Sequence, residues 1–200
     1  MNRTSILIAL LAAIVLGVFL SSDCDLFLHF SSYDDKTAFK EKVVWIVGAS
    51  SGIGAFLAVD FAKAGAKVII SARRESMLEL VATNCSAVGS KPDIVPLDIL
   101  DHASQMQAYN TVKERHGHVD ILVLNAGRSQ RSLAVDTTVE TARQLFDLNF
   151  FSFLSLTATV LPDMISKKSG QLVIVSSLSG RIGTPITSSY TATKHALVRG

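Results

Sequence analysis

The sequence predicts an α/β fold, a doubly wound parallel sheet with helices on both faces, and three observations carry that expectation. Short β-branched runs alternate with segments of helical spacing from Val43 onward, the pattern that builds parallel sheets. Those runs are apolar along their whole length, as strands buried on both faces must be. The first of them, Val43 to Val47, turns at once into helix-compatible sequence through Gly48-Ala49-Ser50-Ser51-Gly52-Ile53-Gly54. Such a junction gathers free backbone N–H groups and the positive end of a helix dipole at one point, which suits a phosphate.

Taken in order, the chain starts with an uninterrupted apolar stretch, Ile6 to Leu20, with Arg3 before it and Asp23 and Asp25 after it. It spans only about 22 Å as a helix, short of a full hydrocarbon core unless Ser21, Ser22 and the LFLHF patch contribute. Phe-Leu-Ser-Ser is a weak cleavage site, so residues 1–22 read as an uncleaved signal anchor; a cleaved signal peptide and secretion are the alternative. Arg3 places the N-terminus in the cytosol and the remainder across the membrane. Asn84-Cys85-Ser86 fits a glycosylation acceptor usable only in a lumenal domain. Residues 23–40 form a polar linker, and a domain follows over 41–200.

Within that domain a helix is expected near Ile53 to Ala64, ended by Gly65. A strand follows at Lys67–Ser71, a helix from Glu75 to Val88 and a strand at Asp93–Leu97. Then come a helix at His102–His116, a strand at Asp120–Leu124, a long helix between Val139 and Ile165, and a strand at Gln171–Ser176. The last helix starts near Ser188. In such sheets ligands bind beyond the carboxyl ends of the strands.

Composition narrows the field. With 200 residues, 48% hydrophobic, and a net charge of +2, the chain is globular and offers no nucleic-acid surface. Cys24 and Cys85 make no C-x-x-C pair, and His102, His116, His118 and His195 lack zinc-ligand spacing. No metal is expected.

Gly48 can take the tight turn, Gly52 can admit a ligand to the backbone, and Gly54 can let helix and strand pack closely. Ser50, Ser51 and Ile53 complete the loop; its bland reading is a turn that only joins strand to helix. At the end of the second strand, Ser71-Ala72-Arg73-Arg74 places an apolar residue where an NAD enzyme usually has an acid to hold the ribose. A guanidinium can grip a 2′-phosphate with two charge-assisted bonds. NADP is therefore favoured over NAD, against the alternative of two solvated arginines opening a helix. Asp98 could hydrogen-bond an adenine amino group or cap a helix, though Asp101 suits the cap better.

Ser177 follows the fifth strand, Tyr190 comes thirteen residues later, and Lys194 stands one helical turn beyond Tyr190, on the same helix face. Hydride transfer to a carbonyl needs a proton for the developing alkoxide, and the reverse reaction needs a base. A free tyrosine, with a pKa of about 10, is a poor base at neutral pH. A nearby ammonium, with the positive charge of an oxidised nicotinamide, favours the phenolate. Ser177 would orient the substrate oxygen, and Lys194 would also hold the nicotinamide ribose.

These motifs together resemble the short-chain dehydrogenase/reductase family, a one-domain Rossmann-like class, over nearly all of residues 41–200. The resemblance implies that Asn125-Ala126-Gly127 lets the adenosine lie against the backbone. It also implies that Asn149, in Leu-Asn-Phe, is a fourth catalytic residue holding a water in a proton relay to the lysine; taken as a residue alone, Asn149 is only a weak helix former. Departures are Val47 for a usual threonine, Leu124 for a common second asparagine, and Ser152 for a small glycine. They bear on local rigidity more than on catalysis. The leader, SARR and GRSQRSL (Gly127 to Leu133) are most similar to the microsomal, membrane-anchored member-seven branch, with the microsomal hydroxysteroid dehydrogenases near. That branch implies the endoplasmic reticulum membrane and lipophilic substrates such as steroids and retinoids. A homodimer built helix to helix is usual in the family.

The family continues past the position of Gly200 with two more strands and a segment covering the substrate, so the sequence reads as a partial chain with five strands and a sheet edge at the fifth. Two functions remain open at this point. One is an NADP-dependent oxidoreductase on a lipophilic alcohol or carbonyl; the other is a non-catalytic dinucleotide-binding or membrane-tethered interaction protein.

Overall fold

The computed structural model describes residues 38–199. The anchor expected at 1–22 and nearly all of the linker expected at 23–40 lie outside them. Five strands form one parallel sheet in the order β3-β2-β1-β4-β5. They are β1 (Val43–Val47), β2 (Lys67–Ser71), β3 (Asp93–Ile94), β4 (Ile121–Leu124) and β5 (Gln171–Ile174). The helices between them are α1 (Gly52–Lys63), α2 (Glu75–Ser86), α3 (His102–His116), α4 (Val139–Phe146), α5 (Ser152–Lys167) and α6 (Ser188–Arg199).

β1 lies at the centre, and all five of its residues are buried. Its pleat sends alternate side chains to opposite faces. Val43, Trp45 and Val47 join Ala108, Tyr109 and Val112 of α3 and Phe153, Leu156, Val160 and Met164 of α5. Val44 and Ile46 join Ala58 and Ala62 of α1 and Leu78, Val81, Ala82 and Cys85 of α2. The sheet is therefore sandwiched, which explains why its central strands lack polar alternation. Val139–Lys167 is long and apolar enough to cross a membrane, yet α5 turns Phe153, Leu156, Val160 and Met164 into the core.

Two strands are shorter than their apolar runs. β3 covers only Asp93–Ile94 rather than reaching Leu97, although Val95 and Leu97 N–H still donate to the Ile70 and Ala72 carbonyls at 3.1 Å each; Pro96 between them turns its nitrogen to the open edge of the sheet, where a strand tolerates proline. β5 ends at Ile174 rather than Ser176, with Val175 N–H donating to the Leu124 carbonyl at 2.9 Å. Among the described residues β5 is the last strand of the sheet beyond β4, with Gln171 and Ile174 exposed.

The long helix between β4 and β5 is not uniform. Between α4 and α5 the backbone widens into a π-helical turn, Asp147–Phe151. π turns inside α-helices occur often at functional sites. This one contains Asn149, which is fully buried.

Candidate functional site

The glycine loop fills the space above β1 as the spacing requires. Gly48 has φ +86°, and a Cβ there would meet the Ala126 nitrogen at 2.5 Å and its Cα at 2.6 Å. A Cβ on Gly54 would meet the Gly48 carbonyl oxygen at 2.5 Å and Asn125 Nδ2 at 2.6 Å. Gly52 differs: its φ is +58°, but a Cβ would have open space on all sides. So Gly48 and Gly54 serve close packing, while the backbone at Gly52 is open to approach. Ser51, which precedes α1, makes no capping hydrogen bond, and the first turn of α1 holds no acid. Its N–H groups therefore remain for an anion, and the loop fits a dinucleotide pyrophosphate.

Val47 supplies no hydroxyl to brace this loop, yet other groups do. Gly48 and Ala49 N–H donate to the Ser71 carbonyl at 2.8 and 3.1 Å. Asn125 Nδ2 donates to the Gly48 carbonyl at 2.8 Å, tying the end of β4 to the turn. Leu124 is simply core. Ser152 returns its hydroxyl to the Leu148 carbonyl at 2.6 Å, so the extra polar atom is satisfied within its own helix.

One cleft is lined by Gly48, Ser51, Ala72, Arg73, Asp98, Asn125, Ala126 and Gly127. The structure thus gathers residues that follow the first four strands in the sequence into one cleft. Arg73 is exposed at the cleft, and Arg74 Nη2 donates to Ser50 Oγ at 3.2 Å, linking the arginine pair to the glycine loop. Asp98 accepts from Leu100 N–H at 3.0 Å, and Asp101 caps α3 by accepting from Ala103 N–H at 3.0 Å. Asp98 is therefore locally braced while still lining the cleft.

Asn149 sits where the π turn meets two other segments. Its Oδ1 accepts from Arg128 N–H at 3.0 Å. Its Nδ2 donates to the Arg128 carbonyl at 3.0 Å and to Thr193 Oγ1 at 3.1 Å. Both amide protons are committed, which leaves one Oδ1 lone pair for any water. Thr193 carried no signal in the sequence and Arg128 entered only as part of GRSQRSL; only the fold brings their polar atoms to this amide. A Cβ on Gly127 would lie 3.0 Å from Asn149 Oδ1 and 4.0 Å from Lys194 Nζ, which is why that position is small.

Lys194 is 5% exposed, and its Nζ donates to the Val175 carbonyl at 2.9 Å. The same ammonium lies 5.9 Å from the centroid of the Tyr190 ring. Ser177 Oγ accepts from Ser179 N–H at 3.1 Å, leaving its O–H proton for another acceptor. Tyr190 is shared between two cavities. One holds Ile53, Asn125, Gly127 and Lys194; the other holds Ser177, Ser179, Arg131 and Ile186.

Burial pushes the Lys194 ammonium below the usual lysine range, because desolvation penalises the charged form. The unfolded chain then holds that proton more tightly than the folded one. Stability contributed at this position is lowest near neutral pH and rises as pH climbs through the depressed lysine range. The parent chain is expected to gain stability relative to Lys194→Met over that alkaline range. Chemical denaturation of both at several pH values measures it; a constant gap would show that Lys194 titrates alike in both states.

A short chain dehydrogenase family model matches residues 42–199. The human dehydrogenase/reductase SDR family member 7 is 41% identical over 200 aligned residues, covering 96% of this chain and 59% of that protein. The chain thus spans about three fifths of that curated relative's length. A solved short-chain dehydrogenase from Streptomyces avermitilis superposes with a TM-score of 0.73 at 36% identity, covering 80% of this chain and 58% of the other. An actinorhodin polyketide ketoreductase solved with NADPH superposes with a TM-score of 0.76 at 29% identity, covering 79% and 61%. Sequence match, sheet order and the glycine-loop geometry agree, and this chain belongs to the short-chain dehydrogenase/reductase family.

Proposed function

We propose that the chain carries the dinucleotide-binding and catalytic part of an NADP(H)-dependent oxidoreductase acting on a lipophilic carbonyl or alcohol, steroid- or retinoid-like in kind. The observation that carries this reading is the position of Tyr190, one phenol lining both the cavity of Lys194 and Gly127 and the cavity of Ser177. A proton donor placed between a cofactor pocket and a substrate pocket is what carbonyl reduction requires.

Gly48, Ser50, Ser51, Gly52, Ile53 and Gly54 would hold the pyrophosphate, Asp98 and Asn125-Ala126-Gly127 the adenosine, and Arg73 and Arg74 the 2′-phosphate. Bound there, the dinucleotide supplies or accepts the hydride. Ser177 donates its free O–H to the substrate oxygen and fixes its orientation. Tyr190 gives its phenolic proton to that oxygen during reduction and takes it back during oxidation. Lys194 holds the nicotinamide ribose, and its charge favours the phenolate that oxidation needs. Asn149 ties the loop after β4 to α6, and a relay water toward Lys194 would use its remaining lone pair.

The NADP assignment rests on Ala72 standing in the acid's place and on the Arg73 guanidinium at the cleft, with Arg74 bonded to Ser50 of the glycine loop. Arg73→Ala is expected to weaken NADPH binding by about tenfold or more while changing NADH binding little, since only NADPH carries the phosphate. Titration of both dinucleotides checks it, and equal losses would remove the assignment. Profiling NADPH oxidation against a carbonyl panel tests the activity itself. A chain that binds NADPH and turns over none of them would point to the non-catalytic dinucleotide-binding reading.

The N-terminal apolar stretch supports a single-pass anchor at 1–22 in the endoplasmic reticulum membrane, a linker at 23–40 and a lumenal domain. An anchored enzyme of this kind suits substrates that partition into lipid. A homodimer is the assembly that goes with the family.

A further inference from the structure

Between Ser177 and Tyr190 the chain makes a 3₁₀ turn, Leu178–Gly180, and a loop into α6. Nothing apolar is buried in that loop; its interior is a run of hydroxyls. Ser179 Oγ pairs with Thr184 Oγ1 at 3.1 Å, and Thr184 Oγ1 pairs with Thr187 Oγ1 at 2.6 Å. Thr187 Oγ1 also pairs with Thr191 Oγ1 at 3.0 Å and donates to the Thr184 carbonyl at 3.0 Å. Ser179 and Thr187 are buried.

Each hydroxyl has one proton, so the directions are nearly fixed. Thr187 gives its proton to the Thr184 carbonyl and must accept from Thr184 and Thr191; Thr184 in turn accepts from Ser179. One end of this run is anchored at Ser177, whose Oγ accepts from Ser179 N–H. The other end is anchored in α6, where Thr191 N–H donates to the Thr187 carbonyl at 2.7 Å, one residue beyond Tyr190. Beside the hub, Ile186 holds φ +58°, a conformation β-branched residues rarely adopt. Its carbonyl accepts from Ser132 N–H at 2.9 Å, and it lines the same cavity as Ser177 and Tyr190. Strain of this sort persists only where the surroundings over-determine the backbone.

We propose that this hydroxyl run, with Thr187 at its hub and the Ile186–Ser132 latch beside it, sets the spacing between Ser177 and Tyr190 for the reaction. Thr187 is thus a positioning residue; the inference rests on the function proposed above. Thr187→Val keeps the shape but removes one donor and an acceptor for two hydroxyls, whereas Thr187→Ser keeps all three bonds. Thr184→Val breaks the same run from the other side.

The test uses the full chain, with hydrogen exchange read by mass spectrometry alongside NADPH affinity and steady-state carbonyl reduction. Both valine variants are expected to speed exchange about tenfold across 178–191 without changing β1. They should lower kcat about tenfold or more, since small displacements of reacting groups are costly. KM and NADPH affinity should stay within about twofold, and Thr187→Ser should restore exchange and kcat. Parent-like exchange or kcat in both valine variants would overturn the proposal. So would equal loosening of β1 with loss of NADPH binding, the mark of a general structural role. If the parent turns over no carbonyl, the oxidoreductase reading falls, and local exchange across 178–191 alone decides whether the hydroxyls hold the loop.

Discussion

Tyr190→Phe is expected to lower kcat for carbonyl reduction by about 10²- to 10⁴-fold while NADPH affinity stays within about threefold, a barrier increase of about 3–5 kcal/mol. Phenylalanine keeps the ring beside the Lys194 ammonium and between the two cavities, so packing and cofactor contacts survive. Only the transferable proton is lost. Because the alkoxide it would neutralise exists only at the transition state, the loss should fall on kcat rather than KM. Single-turnover reduction followed by NADPH absorbance separates the chemical step from release. Unchanged turnover would refute the proposed chemistry outright, since no other phenol lines these cavities among the described residues.

The second large effect concerns the glycine loop, where two similar-looking substitutions should differ in kind. Gly48→Ala forces a Cβ to 2.5 Å from the Ala126 backbone nitrogen at φ +86°. The atoms it meets are all backbone of Asn125 and Ala126, with no flexible end to yield, so strain and overlap should together cost about 2–6 kcal/mol and abolish dinucleotide binding. Gly52→Ala meets no neighbour and carries only the left-handed penalty of about 1–2 kcal/mol. With the phosphates on this loop as proposed, the added methyl would stand in their path, and NADPH affinity should fall about tenfold or more with the fold largely intact. Thermal unfolding and NADPH titration of both variants distinguish these outcomes. If Gly52→Ala binds NADPH as the parent does, the open space beside Gly52 is not the phosphate site.

The contrast between these glycines shows why part of the site could be read from sequence. The loop between β1 and α1 is set by local rules: a strand that ends, a helix that begins, and backbone angles only glycine takes easily. The i, i+4 placement of Tyr190 and Lys194 is equally local, because a helix delivers it without help from the rest of the fold. Asn149 is the opposite case. Its place depends on a π turn that no helical periodicity announces, and on Arg128 and Thr193, distant in sequence. Taken as residues alone, neither partner had a reason to be chosen, and Asn149 itself entered only through the family resemblance. The hydroxyls from Ser179 to Thr191 were silent for the same reason: serine and threonine in a loop look like solvent-facing polarity until the chain closes over them. The strand expected at Asp93–Leu97 ran through Pro96, and the backbone bonds of Val95 and Leu97 to β2 do continue past it, because on an edge strand the proline nitrogen can face outward.

The account depends on a single nicotinamide site shared by the glycine loop, Lys194 and Tyr190. A crystal structure of the chain with NADPH tests that most directly. The pyrophosphate should lie on Gly52 and the first turn of α1, the 2′-phosphate at Arg73, and the nicotinamide beside Lys194 with the Tyr190 hydroxyl facing it. A dinucleotide bound elsewhere, or a nicotinamide out of reach of that hydroxyl, would contradict it.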